Sequence, residues 1–166
     1  MINIRIDTSG ALLEGKAPAI IQQGLDRFVT MATIFLSAEV QKGTPQGVMG
    51  YQGGLIATIN SEVTGKGTPV VKGSVFHGSK YGDVVEKGRT AGKGMPPKGS
   101  LVRWLEVKLG LSQKEAQRIE FVVRRKIGLK GTKGAQMFEK ALTNNLGRLE
   151  QMAQSAGLKI AVELNK

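Results

Sequence analysis

The sequence reads as an α+β protein, with a small antiparallel sheet packed against a long N-terminal helix and C-terminal helices. Three patterns carry that reading. Apolar residues recur at three- and four-residue steps from Pro18 to Lys42. Between Leu55 and Glu86 they alternate with other residues in short runs broken by glycine turns. Helical spacing then returns from Leu101. Steps of three and four place side chains on one face of a helix, and alternation places them on one face of a strand.

The elements follow in order. Ile2, Ile4 and Ile6 alternate with Asn3, Arg5 and Asp7, which predicts an opening strand. Pro18 suits the first turn of a helix, where its missing N–H costs nothing. Ile21, Leu25, Phe28, Ala32, Phe35 and Leu36 recur at three- and four-residue steps and make this one long helix, which Gly43 and Pro45 end. Its middle, Val29 to Leu36, is apolar nearly all round, so it should pack on two sides, the second against more of the chain or a neighbouring subunit. A glycine-rich loop covers Gly43 to Gly54. Leu55, Ala57 and Ile59 predict a strand running to Val63, and Gly65-Lys66-Gly67-Thr68-Pro69 predicts a turn. Val71, Gly73 and Val75 predict a second strand and Tyr81 to Glu86 a third, together an antiparallel meander.

A basic loop from Gly88 to Gly99 carries Arg89, Lys93 and Lys98. Leu101, Val102, Trp104, Leu105 and Leu109 predict a helix stopped by Gly110, with Trp104 in the core. Ser112 with Glu115 three residues on is a capping box. The helix it opens should run to about Ile127 and bury Ala116, Ile119, Val123 and Ile127, leaving Lys114, Arg118 and Arg125 on the opposite side. After a loop from Gly128 to Gly134, a last helix should cover Ala135 to Ala156, with Phe138, Leu142, Leu146, Leu149 and Met152 inward and Gly157 as its cap. Leu158, Ile160 and Val162 predict a closing strand. The whole chain, 1–166, is expected to be one domain, with flexible loops at about 43–54, 88–99 and 128–134.

Composition narrows the function. The chain has 166 residues, 24 Lys and Arg against 13 Asp and Glu, a net charge of +11, and no cysteine. Without cysteine there are no disulfides, thiol nucleophiles, zinc–thiolate sites or iron–sulfur clusters. The N-terminus lacks the basic and apolar regions of a signal peptide. The longest apolar stretch, Phe28 to Ala38, falls short of the ~20 residues that span a bilayer. A soluble protein made in the cytoplasm, without a membrane partner, is expected. The charge is uneven: twelve Lys and Arg stand against three acids between Gly88 and Lys133, so nine of the eleven excess charges lie there. Such a concentration attracts something acidic.

No constellation points to catalysis. Gly88-Arg89-Thr90-Ala91-Gly92-Lys93-Gly94 lacks the spacing and the Ser or Thr of a phosphate-binding loop, and prolines follow it rather than a helix. His77 is the only histidine, so it cannot anchor a histidine metal set. A His–nucleophile pair would need Ser74 or Ser79 beside it and an acid such as Asp83 to orient it. Asp83 and Glu86 are close enough in sequence for acid–base work, but Lys80, Lys87 and Arg89 are ready partners for them. The chain is expected to be no enzyme and to need no cofactor or metal. The run Arg124-Arg125-Lys126 can contact phosphates, but with Trp104 and Phe121 as its only large aromatic neighbours, the region is not a dedicated base reader.

The order of features resembles a family. A long helix ends at Gly43-Thr44-Pro45, and strands follow, with Tyr81-Gly82-Asp83-Val84-Val85-Glu86-Lys87-Gly88-Arg89. Then come Pro96-Pro97, Leu101, Trp104-Leu105, and Gly131-Thr132-Lys133-Gly134 with Phe138 and Ala141. Over roughly residues 20 to 142 this is similar to the neck, or tail-completion, proteins of tailed bacteriophages, the group typified by a tail component of phage HK97. The chain departs from that family after Thr-Pro, where Gln46 to Leu55 replaces the usual Asp-Thr-Gly-Arg-Leu run.

The resemblance implies a non-enzymatic structural protein of the virion neck, forming a ring that joins or completes the tail at the head–tail interface. A tail terminator capping the tube and a basic nucleic-acid-binding protein are the alternatives. Its implied partners are other copies of itself, the neighbouring head–tail connector and tail proteins, and packaged DNA through non-specific contact. Asp83, Val85, Glu86, Arg89 and Lys93 are the expected subunit or ring contacts. Lys114, Arg118, Arg124, Arg125 and Lys126 are the expected surface for an acidic partner or DNA.

Overall fold

The computed structural model describes residues 15–48, 53–68 and 70–165. The opening strand expected at Ile2 to Ile6 lies outside them. The fold is α+β. Helix α1 is Ala17–Gly43, followed by the single turn α2, Gly54–Ala57. Strands β1 (Ile59–Thr64) and β2 (Lys72–His77) form a two-stranded sheet. Next come α3 (Gly82–Lys87), β3 (Gly88–Arg89), α4 (Val102–Leu109) and α5 (Gln113–Lys130). The chain closes with β4 (Thr132–Lys133), α6 (Met137–Thr143) and α7 (Leu146–Leu164). β3 and β4 pair antiparallel, Gly88 opposite Lys133 and Arg89 opposite Thr132.

The chain divides into two compact units. One takes the segment up to Ser37, Ser61–Val75 and everything from Leu142; the other takes Ala38–Asn60 and Phe76–Ala141. Among the described residues, the buried apolar ones are Val40, Leu55, Ile56, Ile59, Leu105, Ala116, Met137 and Ala141. All eight fall in the second unit. In the first unit, the fully buried positions among the described residues are Thr33 and Ser37. There α1 turns small polar residues inward. The Thr33 hydroxyl donates to the Val29 carbonyl at 2.7 Å, which offsets the cost of burying it. Gly73 of β2 lies directly against Thr33 and Val29, where a side chain would clash. α7 meets α1 at an equally close approach, Ile160 against Gly24.

Several expected elements take another form. Leu55 starts a helical turn instead of a strand. Leu55 and Ile56 are adjacent and both buried, which a strand with one covered face does not provide, and Thr58 closes the turn on the Leu55 carbonyl through its N–H and hydroxyl. Tyr81 to Glu86 is the helix α3, so the three-stranded meander is replaced by two separate two-stranded sheets. The Val84-Val85 pair favours a strand locally. Tertiary bonds override it: the N–H groups of Ala135 and Gln136 donate to the Val85 and Glu86 carbonyls at 2.8 and 3.0 Å, satisfying acceptors that a short helix leaves open at its end.

α5 runs three residues past Ile127, and Thr132–Lys133 pairs in β4, so little of the segment 128–134 is loop. The single C-terminal helix expected from Ala135 is two helices, parted at Asn144 and Asn145, residues that favour turns. Gly157 does not cap α7, and the closing strand is absent: residues 158–164 continue the helix. Leu149, Met152, Ala156, Ile160 and Glu163 recur at helical steps and are half-buried, while Leu158 and Val162 are exposed. Trp104, Ile119, Leu142 and Leu146, expected inward, are exposed as well.

Candidate functional site

The second unit brings together most of the residues singled out from sequence. Asp83 stands in the first turn of α3, its Oδ1 3.6 Å from His77 Nε2. The imidazole tilts against the Phe138 ring, with centroids 5.9 Å apart, and packs over Gly82, where any side chain would collide with it. His77 Nδ1 is buried without a hydrogen-bond partner among the described residues. The Ser79 hydroxyl instead accepts from the Tyr81 N–H at 3.4 Å. No Ser–His pair is assembled there.

Val85 and Glu86 are half-buried. The Glu86 carboxylate sits at the start of α6, where its two oxygens accept from the Phe138 and Glu139 N–H groups at 3.1 and 3.3 Å. A carboxylate there satisfies open N–H groups and meets the positive end of the helix. Gln136, just before α6, has φ of +53°, the left-handed region that non-glycine residues rarely occupy. Arg89 in β3 donates from Nη2 to the Lys93 carbonyl at 3.3 Å, folding the loop back on itself, while its Nε is buried without a hydrogen-bond partner among the described residues. Glu86 and Arg89 therefore hold this chain's own backbone. Asp83 and Lys93 are exposed.

The second cluster is built on α4 and α5. Gly110 ends α4 in the left-handed conformation, φ 65°, which glycine adopts without strain. The Ser112–Glu115 capping box then opens α5 as expected: Ser112 N–H donates to Glu115 Oε2 at 2.9 Å and Glu115 N–H to Ser112 Oγ at 3.4 Å. The Ser112 hydroxyl bond, followed by the backbone bond, holds the Glu115 carboxyl below its usual pKa. Inside the pair, Leu105 and Ala116 are completely buried. Glu120 is buried too and accepts from the Leu101 N–H at 3.2 Å.

The loop from 90 to 99 is tied to α5, Gly92 N–H to the Gly128 carbonyl at 2.8 Å and Arg124 Nε to the Pro96 carbonyl at 2.7 Å. Arg124 is thereby taken out of the basic surface. Lys114, Arg118, Arg125 and Lys126 remain exposed. Sequence reasoning missed two things here: the intrachain tasks of Glu86 and Arg124, which depend on residues 52 and 28 positions away, and the exposure of Phe121, Val122 and Leu129 beside the cations.

The first unit holds a cleft of about 440 Å³ between α1 and α7. Phe28, Met31 and Met152 line it, with Arg27, Arg148 and Lys159 also on its wall. Among the described residues, no cluster of His, Asp and Glu is placed to hold a metal ion, and no helix is long and apolar enough to cross a membrane. Comparison with protein-family models, with characterised proteins and with solved structures finds no match to this chain.

Proposed function

We propose that the protein is a structural part of the neck of a tailed bacteriophage, a ring-forming subunit that joins or completes the tail at the head–tail interface and resides in the virion. One observation carries this reading beyond the sequence resemblance. The first unit buries no apolar side chain among its described residues, yet it exposes Met31 and Ile34 on α1 and Leu158 and Val162 on α7. Large exposed apolar residues on packed helices mark surfaces that other subunits cover. Covering these side chains by association would stabilise the folded subunit.

The test is the particle and its genome. The proposal expects the protein in purified virions by mass spectrometry, and portal, connector and tail genes beside its own. A metabolic gene neighbourhood, or virions without the protein, would overturn it. Ile34→Glu and Leu158→Glu should block assembly into particles while leaving the purified chain folded by circular dichroism.

A further inference from the structure

The outward side of α5 has a composition that ring formation through α1 and α7 does not use. Lys114, Arg118, Phe121, Arg125 and Leu129 follow one another at three- and four-residue steps, Val122 stands beside Phe121, and all six lie within about 100° of helical arc. Every one is exposed, Phe121 by 55%, Val122 by 64% and Leu129 by 66%. No acid shares the stripe: Glu120 is buried on the opposite side and Glu115 is bound to Ser112. The helix is a rigid platform, fixed at its start by the capping box and along its length by α4 and the 90–99 loop.

We propose that this stripe docks an acidic amphipathic helix of another protein, apolar side chains against Phe121, Val122 and Leu129 and carboxylates against Lys114, Arg118 and Arg125. The charge pattern selects this occupant. A second copy would bring the same cations face to face, and like charges at an interface repel. A duplex would satisfy the cations through its phosphates but leave three large apolar side chains without a complement. A bilayer surface takes up helices whose cations are segregated from the apolar face. Here Phe121 and Leu129 alternate with Arg118 and Arg125 along one line, so the cations would be dragged into the hydrocarbon. A helix carrying both acids and apolar groups matches the alternation and supplies both complements.

The test uses the full chain and a labelled synthetic peptide of about five helical turns, with leucines on one face and glutamates between and beside them. A scrambled peptide of the same composition, a short DNA duplex and phosphatidylglycerol vesicles are the comparators. The amphipathic peptide should bind at least tenfold more tightly than the scramble, and added salt should weaken it. Arg118→Glu with Arg125→Glu should abolish binding, Phe121→Ala and Leu129→Ala should each weaken it severalfold, and Lys159→Glu, the same charge change on α7, should leave it intact. All these side chains are exposed, so circular dichroism should show every variant folded. Equal binding of the scramble, binding indifferent to Phe121 and Leu129, or tighter binding of DNA or vesicles through the same stripe would overturn the proposal. None of these results depends on whether the protein belongs to a phage neck.

Discussion

Replacing Glu86 by alanine separates a cap from a contact residue. In the structure its half-buried carboxylate accepts two N–H groups at the start of α6, 52 and 53 residues away in sequence. Hydrogen bonds to a charged group contribute about 1.5–3 kcal/mol each, and losing a helix cap costs about 0.5–2 kcal/mol. Both bonds are on the long side and water reaches the site, so the top of the cap range applies in place of two full charged bonds, about 2 kcal/mol. Trp104, the only tryptophan, lies in the same unit, so its fluorescence during urea unfolding reports on that unit. Glu86→Ala should lower the unfolding free energy by about 2 kcal/mol. Glu86→Gln should fall between the two, because its amide keeps one acceptor and turns an NH2 toward an N–H. If Glu86→Ala changes stability by less than about 0.5 kcal/mol, as an ordinary surface substitution does, and instead weakens self-association, then Glu86 is the contact residue that its sequence position suggests and the capping argument fails.

Other perturbations have equally definite outcomes. Leu105→Ala empties a fully buried site and should cost about 2–5 kcal/mol in the same urea experiment. Ser112→Ala should cost about 1 kcal/mol through loss of the α5 cap. The depressed Glu115 pKa sets the sign of a pH effect: the stability it contributes is complete above the ordinary carboxylate range and is lost as pH falls through its lower folded-state value. Glu115→Gln should remove that part of the acid dependence. At Gln136, with φ of +53°, a β-branched residue is poorly tolerated, so Gln136→Val should destabilise by more than about 1 kcal/mol while Gln136→Gly should not destabilise. The measured order of those two variants checks the backbone assignment.

Legibility in the sequence followed the range of the interactions. The start and stop of α1, the end of α4 at Gly110 and the capping box of α5 were readable, because each rests on residues within one helical turn of each other. The opposite faces of α5 were readable for Ala116 and for Lys114, Arg118 and Arg125, since a helix of that length fixes its own periodicity. Short segments were not. Val84 and Val85 favour a strand, yet the segment is helical, with its terminal carbonyls taken by the distant N–H groups of Ala135 and Gln136. Leu158, Ile160 and Val162 alternate over too few residues to distinguish strand from helix, and the close approach of Ile160 to Gly24 fits the helix.

By itself the sequence determined the fold class, the long first helix, the cysteine-free chemistry and the concentration of positive charge between Gly88 and Lys133, because composition and local periodicity need no partner to act. The tertiary structure alone decided which charged groups are free. It committed Glu86 to the start of α6 and Arg124 to the Pro96 carbonyl, and it left Lys114, Arg118 and Arg125 exposed among Phe121, Val122 and Leu129. A side chain's role depends on which backbone groups arrive beside it from distant parts of the chain, and only packing brings them there.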